Sequence, residues 1–354
     1  EYWRIADREI RDLEAAVVFD ASIDRKNHRV LLDLPTIEVG EARLKGSLDL
    51  TRKKRARPSF IARLEMPRQD CGAVARSIPR GLIPNLSTLA LEGELEFKAS
   101  LDLDLANPTG LDLVVEADGD DCQILSLGPG IDPRDLRGPY VHHPREPRGI
   151  LEHISVGPGT DEWVPAEKLP ELIPTAAWVT EDRRFTEHSG VRWDLIERAL
   201  KMDLDQGRFV YGGSTITQQL VKNIYLTRTK NLARKFEEAI IAWQMERILT
   251  KEEIITLYVN CIEYGPEIYG IKQAARIYFN KKVKELDALE VAFIMGLKPY
   301  PKAGYAQFRS GQLNEWWIKR VSHVLEFIAK FAPHLLPPEE VQSFAPFQPK
   351  FAQW

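Results

Sequence analysis

Between Gly212 and Asn223 the sequence reads GGSTITQQLVKN, two glycines followed by Ser214, Thr215, Thr217, Gln218 and Gln219, then Lys222 and Asn223. Small hydroxyl and amide side chains closed by a cation suit a ligand rich in hydroxyl and phosphate oxygens. The cations continue as Lys222, Arg228, Lys230, Arg234 and Lys235 with no carboxylate among them, and Glu237 and Glu238 follow directly. On a helix Arg234 and Lys235 stand four and three positions before Glu238, so the three share a face. A charged stripe of this kind is by default a solvated helix face with internal ion pairs. The glycine-led entry argues for more, because N–H groups at a helix start, with Lys and Arg, cradle phosphate or pyrophosphate oxygens. A nucleotide P-loop is excluded, since its lysine directly follows the second glycine. The region also lacks the alternating strands and helices of a dinucleotide fold.

A second candidate lies in TEDRRFTEHSG, residues 180–190. Glu181 follows the apolar run IPTAAWV, which sets it at the edge of a packed core. A carboxylate there can have a raised pKa and exchange a proton. Paired with Glu238 it would make a two-carboxylate site of the kind used on glycosidic bonds. Alone, it reads equally as a helix cap or a salt-bridge residue. His188 has no His or Cys at ligand spacing and reads as a structural hydrogen-bonding group, while the adjacent His142 and His143 suit a surface loop rather than a metal site. Cys71, Cys122 and Cys261 match no metal-ligand spacing. A Cys71–Cys122 disulfide in an oxidising compartment and two packed thiols both fit, and Cys261 reads as packed.

The elements that must carry these residues follow two grammars. Residues 28–130 alternate apolar and polar side chains, as in HRVLLDL and LALEGELEFKASLDLDL, which predicts half-buried strands. No catalytic constellation appears there, and residues 1–20 allow a short amphipathic helix. Residues 128–149 are rich in Pro, Gly and Arg without a period. From about residue 165 apolar residues recur at three and four, the helical spacing. The expected organisation is a β-rich accessory domain over 1–130, a linker over 131–164 and a mostly α domain over 165–354. A chain of 354 residues with 44% hydrophobic and 28% charged residues can build two such cores. Its net charge of -4 argues against a nucleic-acid partner bound by bulk electrostatics. No apolar run is long enough to cross a bilayer. The first residue is Glu1 rather than Met, which suits a leader or anchor upstream.

In their order, EDRRFTEHSG, GGSTITQQLVKN, RKFEEAIIAWQME, KEEIITLYVN and YGPEIYGIKQAARIYF resemble the five motifs of glycosyltransferase family 51. These are the peptidoglycan glycosyltransferases that polymerise lipid II, and YVNCIEYGPEIYG is most similar to the monofunctional biosynthetic transglycosylases. The resemblance runs from about Trp163 to Tyr305. It implies a mostly α, lysozyme-like glycosyltransferase domain with a smaller jaw lobe near the membrane; with the strand pattern that precedes it, the expected fold class is α+β multidomain, an N-terminal antiparallel β-rich domain followed by that domain.

Residue by residue, the resemblance implies that Glu181 is the base. It would take the proton from the acceptor sugar's 4-hydroxyl as that oxygen attacks the donor's anomeric carbon, giving a β-1,4 bond with inversion. Lys222, Arg234 and Lys235 would stabilise the departing polyprenyl pyrophosphate. Glu238 would organise those cations or a divalent metal, and Mg²⁺ or Mn²⁺ and Lys plus Arg remain alternatives. Ser214, Thr215, Thr217, Gln218, Gln219, Asn223, Arg228 and Lys230 would line the groove, with lysine at 230 where many relatives carry arginine. Asp182, Phe185, His188, Gly190, Tyr258 and Asn260 would frame it. Residues 191–213 match the jaw, where Trp193, Leu195, Ile196, Leu200 and Met202 suit either lipid contact or core packing. The implied partners are lipid II, the nascent glycan strand, the membrane surface and other cell-wall synthesis proteins. The implied place is the periplasmic face of the bacterial inner membrane, and moenomycin is the implied inhibitor. The N-terminal strands are similar to β-repeat segments of AsmA-type envelope proteins, which suits a spacer, a lipid-handling surface or a docking module. A lysozyme-like hydrolase and a non-catalytic envelope scaffold are the rival readings.

Overall fold

The computed structural model describes residues 5–352 except 7–8, 12, 53–56, 143–144, 147–148, 151–153, 208–211, 228 and 230. Its principal strands are β1 (Ala15–Asp24), β2 (Arg29–Val39), β3 (Ala42–Thr51), β4 (Ser59–Asp70), β5 (Ala90–Glu92), β6 (Glu94–Asp104), β7 (Asp112–Asp118) and β8 (Gln123–Ser126). The helices are α1 (Cys71–Ser77), α2 (Leu172–Glu181), α3 (Trp193–Gln206), α4 (Ile216–Tyr225), α5 (Leu232–Ile248), α6 (Lys251–Cys261), α7 (Ile271–Phe279), α8 (Ala288–Gly296), α9 (Pro301–Ser310) and α10 (Glu315–Phe331). Two compact units result. The first combines Glu1–Ile131 with Val191–Ser214 and Thr229–Ile240, and the second takes Asp132–Gly190, Thr215–Arg228 and Ile241–Trp354.

In the first unit six strands form an antiparallel sheet in the order β1-β2-β3-β4-β6-β7, and β5 pairs with β8 in a separate ribbon. The period-two pattern decides its two faces. Leu32, Leu48, Ala62, Leu101 and Leu113 oppose one another across five strands, while the next row holds Asp33, Ser47, Arg63 and Ser100. The N-terminal segment is not helical among the described residues. Its AAVVFDASID stretch is rich in β-branched and aromatic side chains and pairs with β2 from Ala15 to Asp24. Cys71 and Cys122 form a disulfide that ties the start of α1 to the turn before β8. Helix α3 packs on β7.

The second unit is helical. Helix α8 reads ALEVAFIMG and is buried from Glu290 to its end, the expected place for the apolar run VAFIMG. Helices α2 and α10 pack on it, and α4 packs on α6. Capping boxes start three helices: Thr215 with Gln218 at α4, Thr250 with Glu253 at α6, and Asp287 with Glu290 at α8. Each satisfies two N–H groups that a helix start leaves bare. The start of the Pro- and Arg-rich segment, residues 132–137, is docked within this unit. Arg137 donates to Glu253 Oε1 at 2.7 Å and to the Ile248 carbonyl at 2.7 Å, and Tyr225 donates to the Asp132 carbonyl at 3.1 Å. Among the described residues no helix is long and apolar enough to cross a membrane.

Candidate active site

Glu181 is the last residue of α2, whose Ile173, Ala176, Ala177 and Val179 are buried. That packing fixes the helix and leaves the terminal carboxylate at its rim. There it lines a cavity of about 260 Å³ with Gln219, Lys222 and Asn223 of α4, Tyr258 of α6, Glu263 and Lys298. The three α4 residues stand at i, i+3 and i+4 and therefore share one face. Tyr258 Oη donates to Gln219 Oε1 at 2.9 Å, and Gln219 Nε2 donates to Glu181 Oε2 at 3.0 Å. The phenol thus sets the amide, and the amide sets the carboxylate. Burial, then the nearby Glu181 charge, pushes the Tyr258 phenol well above its ordinary range, so it stays a neutral donor.

Behind the cavity the motif residues form a buried support. His188 Nδ1 accepts from Gly190 N at 3.0 Å, which leaves the proton on Nε2 facing Asp182 Oδ2 at 2.8 Å. Asp182 is 1% exposed and also accepts from Ile216 N at 3.3 Å. Gly190 has φ 95°, and a Cβ there would lie 2.9 Å from the Ala242 backbone. Thr215 donates to the Gly190 carbonyl at 2.6 Å. Asn260 clamps Val164 through both its amide groups, and Phe185 is buried beneath the Lys251 ammonium.

Three residues expected to line the groove turn inward instead. Thr215 and Gln218 are consumed by the α4 capping box, and Thr217 donates to Glu246 Oε1. All three are buried, because the first turn of α4 has N–H groups to satisfy before any ligand arrives. Gln219, Lys222 and Asn223 are the members of that motif on the cavity wall. Lys298 and Glu263 line it too, and neither was singled out by the sequence pattern.

The first unit holds the other charged cluster. Glu238 is 1% exposed, with Oε2 accepting from Arg234 and Oε1 from Lys235. Lys235 also donates to Ser214 Oγ at 2.6 Å, and Arg234 Nε donates to the Thr229 carbonyl at 2.6 Å. The neighbouring Glu237 is fully buried and takes 2.6 and 2.7 Å bonds from Asn85. Arg228 and Lys230 lie outside the described residues. A resident divalent ion does not fit Glu238, since both its oxygens already serve cations. Among the described residues no group of three or more His, Cys, Asp or Glu could hold a metal.

Comparison with known proteins agrees with the motif order. The chain is 40% identical over 151 residues to the biosynthetic peptidoglycan transglycosylase of Dechloromonas aromatica (strain RCB), covering 43% of this chain and 65% of that protein. The proteins of the same name from Acinetobacter baumannii (strain ATCC 17978) and Chromobacterium violaceum are 38% and 39% identical over 141 residues, 40% of this chain and 63% and 62% of theirs. The chain thus matches slightly less than two thirds of the length of these relatives. The Transglycosylase family model matches residues 150–328. That span holds the Glu181 cavity, its buried support and the Arg234–Lys235–Glu238 cluster, and by it the chain belongs to the transglycosylase family.

Proposed function

We propose that this chain is a peptidoglycan glycosyltransferase that polymerises lipid II into β-1,4-linked glycan with inversion and release of polyprenyl pyrophosphate. One observation carries the reading: Glu181, held by Gln219 and Tyr258, opens on a cavity shared with Lys222 and Asn223. In the reaction the acceptor's 4-hydroxyl oxygen forms the new bond to the donor's anomeric carbon. Its proton passes to Glu181. The bond from that carbon to the phosphate oxygen breaks, and its electron pair leaves with the diphosphate. Negative charge then grows on phosphate oxygens, where ammonium and guanidinium groups stabilise it best. Lys222, on the cavity wall with Glu181, takes that role; the motif resemblance assigns the same role to Arg234 and Lys235, which Glu238 and Ser214 hold in place.

The Cys71–Cys122 disulfide supports an oxidising compartment, hence the periplasmic side of the inner membrane. Trp193 is 41% exposed at the start of α3 and supports contact with the membrane that holds a prenyl-linked substrate. The test is incubation with labelled lipid II and separate incubation with preformed glycan. Strands that lengthen, and that moenomycin suppresses, support the polymerase. Release of fragments from preformed glycan without lengthening would overturn it in favour of a hydrolase.

A further inference from the structure

Lys298 follows α8 in the sequence GLKPYP, in the turn closed by the 2.9 Å bond from Tyr300 N to the Leu297 carbonyl. It is 7% exposed, and its Nζ has no hydrogen-bond acceptor. The ammonium stands 4.1 Å from the centre of the Tyr258 ring, on the residue that begins the Tyr258–Gln219–Glu181 relay. An ammonium carries three N–H donors, and burying them with only a ring face for company is costly. A methionine or leucine would fill the same space without that cost. The charge therefore has a use beyond packing.

The groups around it identify the use. Tyr258 comes from α6, Glu181 from α2, Lys222 from α4, Glu263 from the chain after α6 and Arg320 from α10. Arg320 is committed to the Gly296 carbonyl at 2.7 Å. Burial lowers the Lys298 ammonium to about 8, the Glu181 charge opposes that fall, and Arg320 adds to it. Lysine and glutamate are thus electrostatically linked without touching.

We propose that Lys298 is a positioning residue for the transfer reaction: the fixed counter-charge that returns Glu181 to its proton-accepting form after each sugar addition. The inference rests on Glu181 being the base. When Glu181 takes the acceptor's proton it becomes neutral, and Lys298 is left as a buried cation facing Arg320. That state is unfavourable, so the proton leaves for solvent and the carboxylate is restored. An uncharged residue at 298 supplies no such drive.

Two measurements test it. The first is the pH dependence of lipid II polymerisation for the intact chain, K298M and K298R. The parent rate is expected to fall above about pH 8, the pH at which Lys298 loses its proton. K298R should lose that fall, because guanidinium does not titrate there. K298M should show kcat reduced about tenfold with kcat/KM near the parent value, the pattern of a slowed step that follows the transfer itself. The second is the titration of Lys298 by NMR of isotope-labelled lysine, in the parent and in E181Q. Removing the Glu181 charge should move the Lys298 midpoint down by about one unit, the scale of one close charge partner. An unchanged midpoint in E181Q overturns the proposal, as does a K298R profile that keeps the alkaline fall. If the parent fails to polymerise lipid II, the functional reading fails by itself, and the NMR titration still decides the coupling. Should K298M not fold, K298R and E181Q carry the test.

Discussion

Asn85 grips Glu237 with both its backbone N–H and its side-chain amide, at 2.6 and 2.7 Å, one donor on each carboxylate oxygen. The residue sits between two fully buried side chains, Ile83 and Leu86, in the segment joining α1 to β5. A loop of the β-rich part therefore holds the helix that carries Arg234, Lys235 and Glu238. Ala233 N adds a 2.8 Å bond to the Ile5 carbonyl.

Asn85→Ala is expected to destabilise the protein in a pH-dependent way. Burial, opposed by the Asn85 bonds, raises the Glu237 carboxyl above the ordinary carboxylate range. A carboxyl raised in the folded state contributes stability that is present at low pH and is lost as pH rises through the folded value. Removing the side-chain amide, while the backbone N–H stays, raises it further, so the deficit should be about 1–3 kcal/mol near neutrality and smaller near pH 4–5. Urea denaturation at both pH values checks this. An equal loss at both would contradict the account.

Glu181→Gln should reduce polymerisation by about 10²–10⁴-fold, the usual contribution of a general base. The Gln219 amide can still donate to the new side-chain oxygen, so the unfolding midpoint should be unchanged. A variant that polymerises at the parent rate would remove Glu181 from the chemistry.

Lys235→Ala should lower kcat more than it raises KM, because the diphosphate charge it meets is greatest in the transition state. The same substitution frees Ser214 Oγ and one oxygen of Glu238. Equal changes in both constants would place Lys235 in ground-state binding instead.

His188→Ala leaves Asp182 buried without its imidazole donor. The expected cost is about 1–3 kcal/mol, the scale of one lost hydrogen bond to a buried charged group, since Ile216 N still donates to Asp182. His188→Gln, which can still donate, should recover part of it. Thermal unfolding of the two variants side by side gives the comparison.

Replacing Cys71 and Cys122 with serine removes a cross-link spanning 51 residues. Loop-closure entropy for that span gives a loss of about 4 kcal/mol. Reductant should lower the unfolding midpoint of the parent and leave that of the double variant unmoved.

Much of this was legible in advance, and the exceptions share a cause. Period-two alternation placed β2 to β7, and the order of five motifs placed Glu181, Lys222 and the Arg234–Lys235–Glu238 cluster on their helices. Thr215 and Gln218 misled because Thr-x-x-Gln spells both a polar groove and a helix cap, and only burial separates them. Asn85 and Glu237 are 152 positions apart, so no local pattern joins them. Lys298 carries no motif at all: its meaning comes from the ring beneath it and from the acceptor it lacks. Residues 15–24 suit a strand because β2 offers a partner, a fact that a window of sequence does not contain.

Gly190 shows how little slack surrounds the first motif. Its N–H, its carbonyl and the empty side of its Cα are each committed, to His188, Thr215 and the Ala242 backbone in turn. A single added methyl would have to push the loop off the backbone of α5, in a left-handed conformation that alanine resists. The loop behaves like a shim cut to one thickness: its fit against α5 leaves no room for a side chain at position 190.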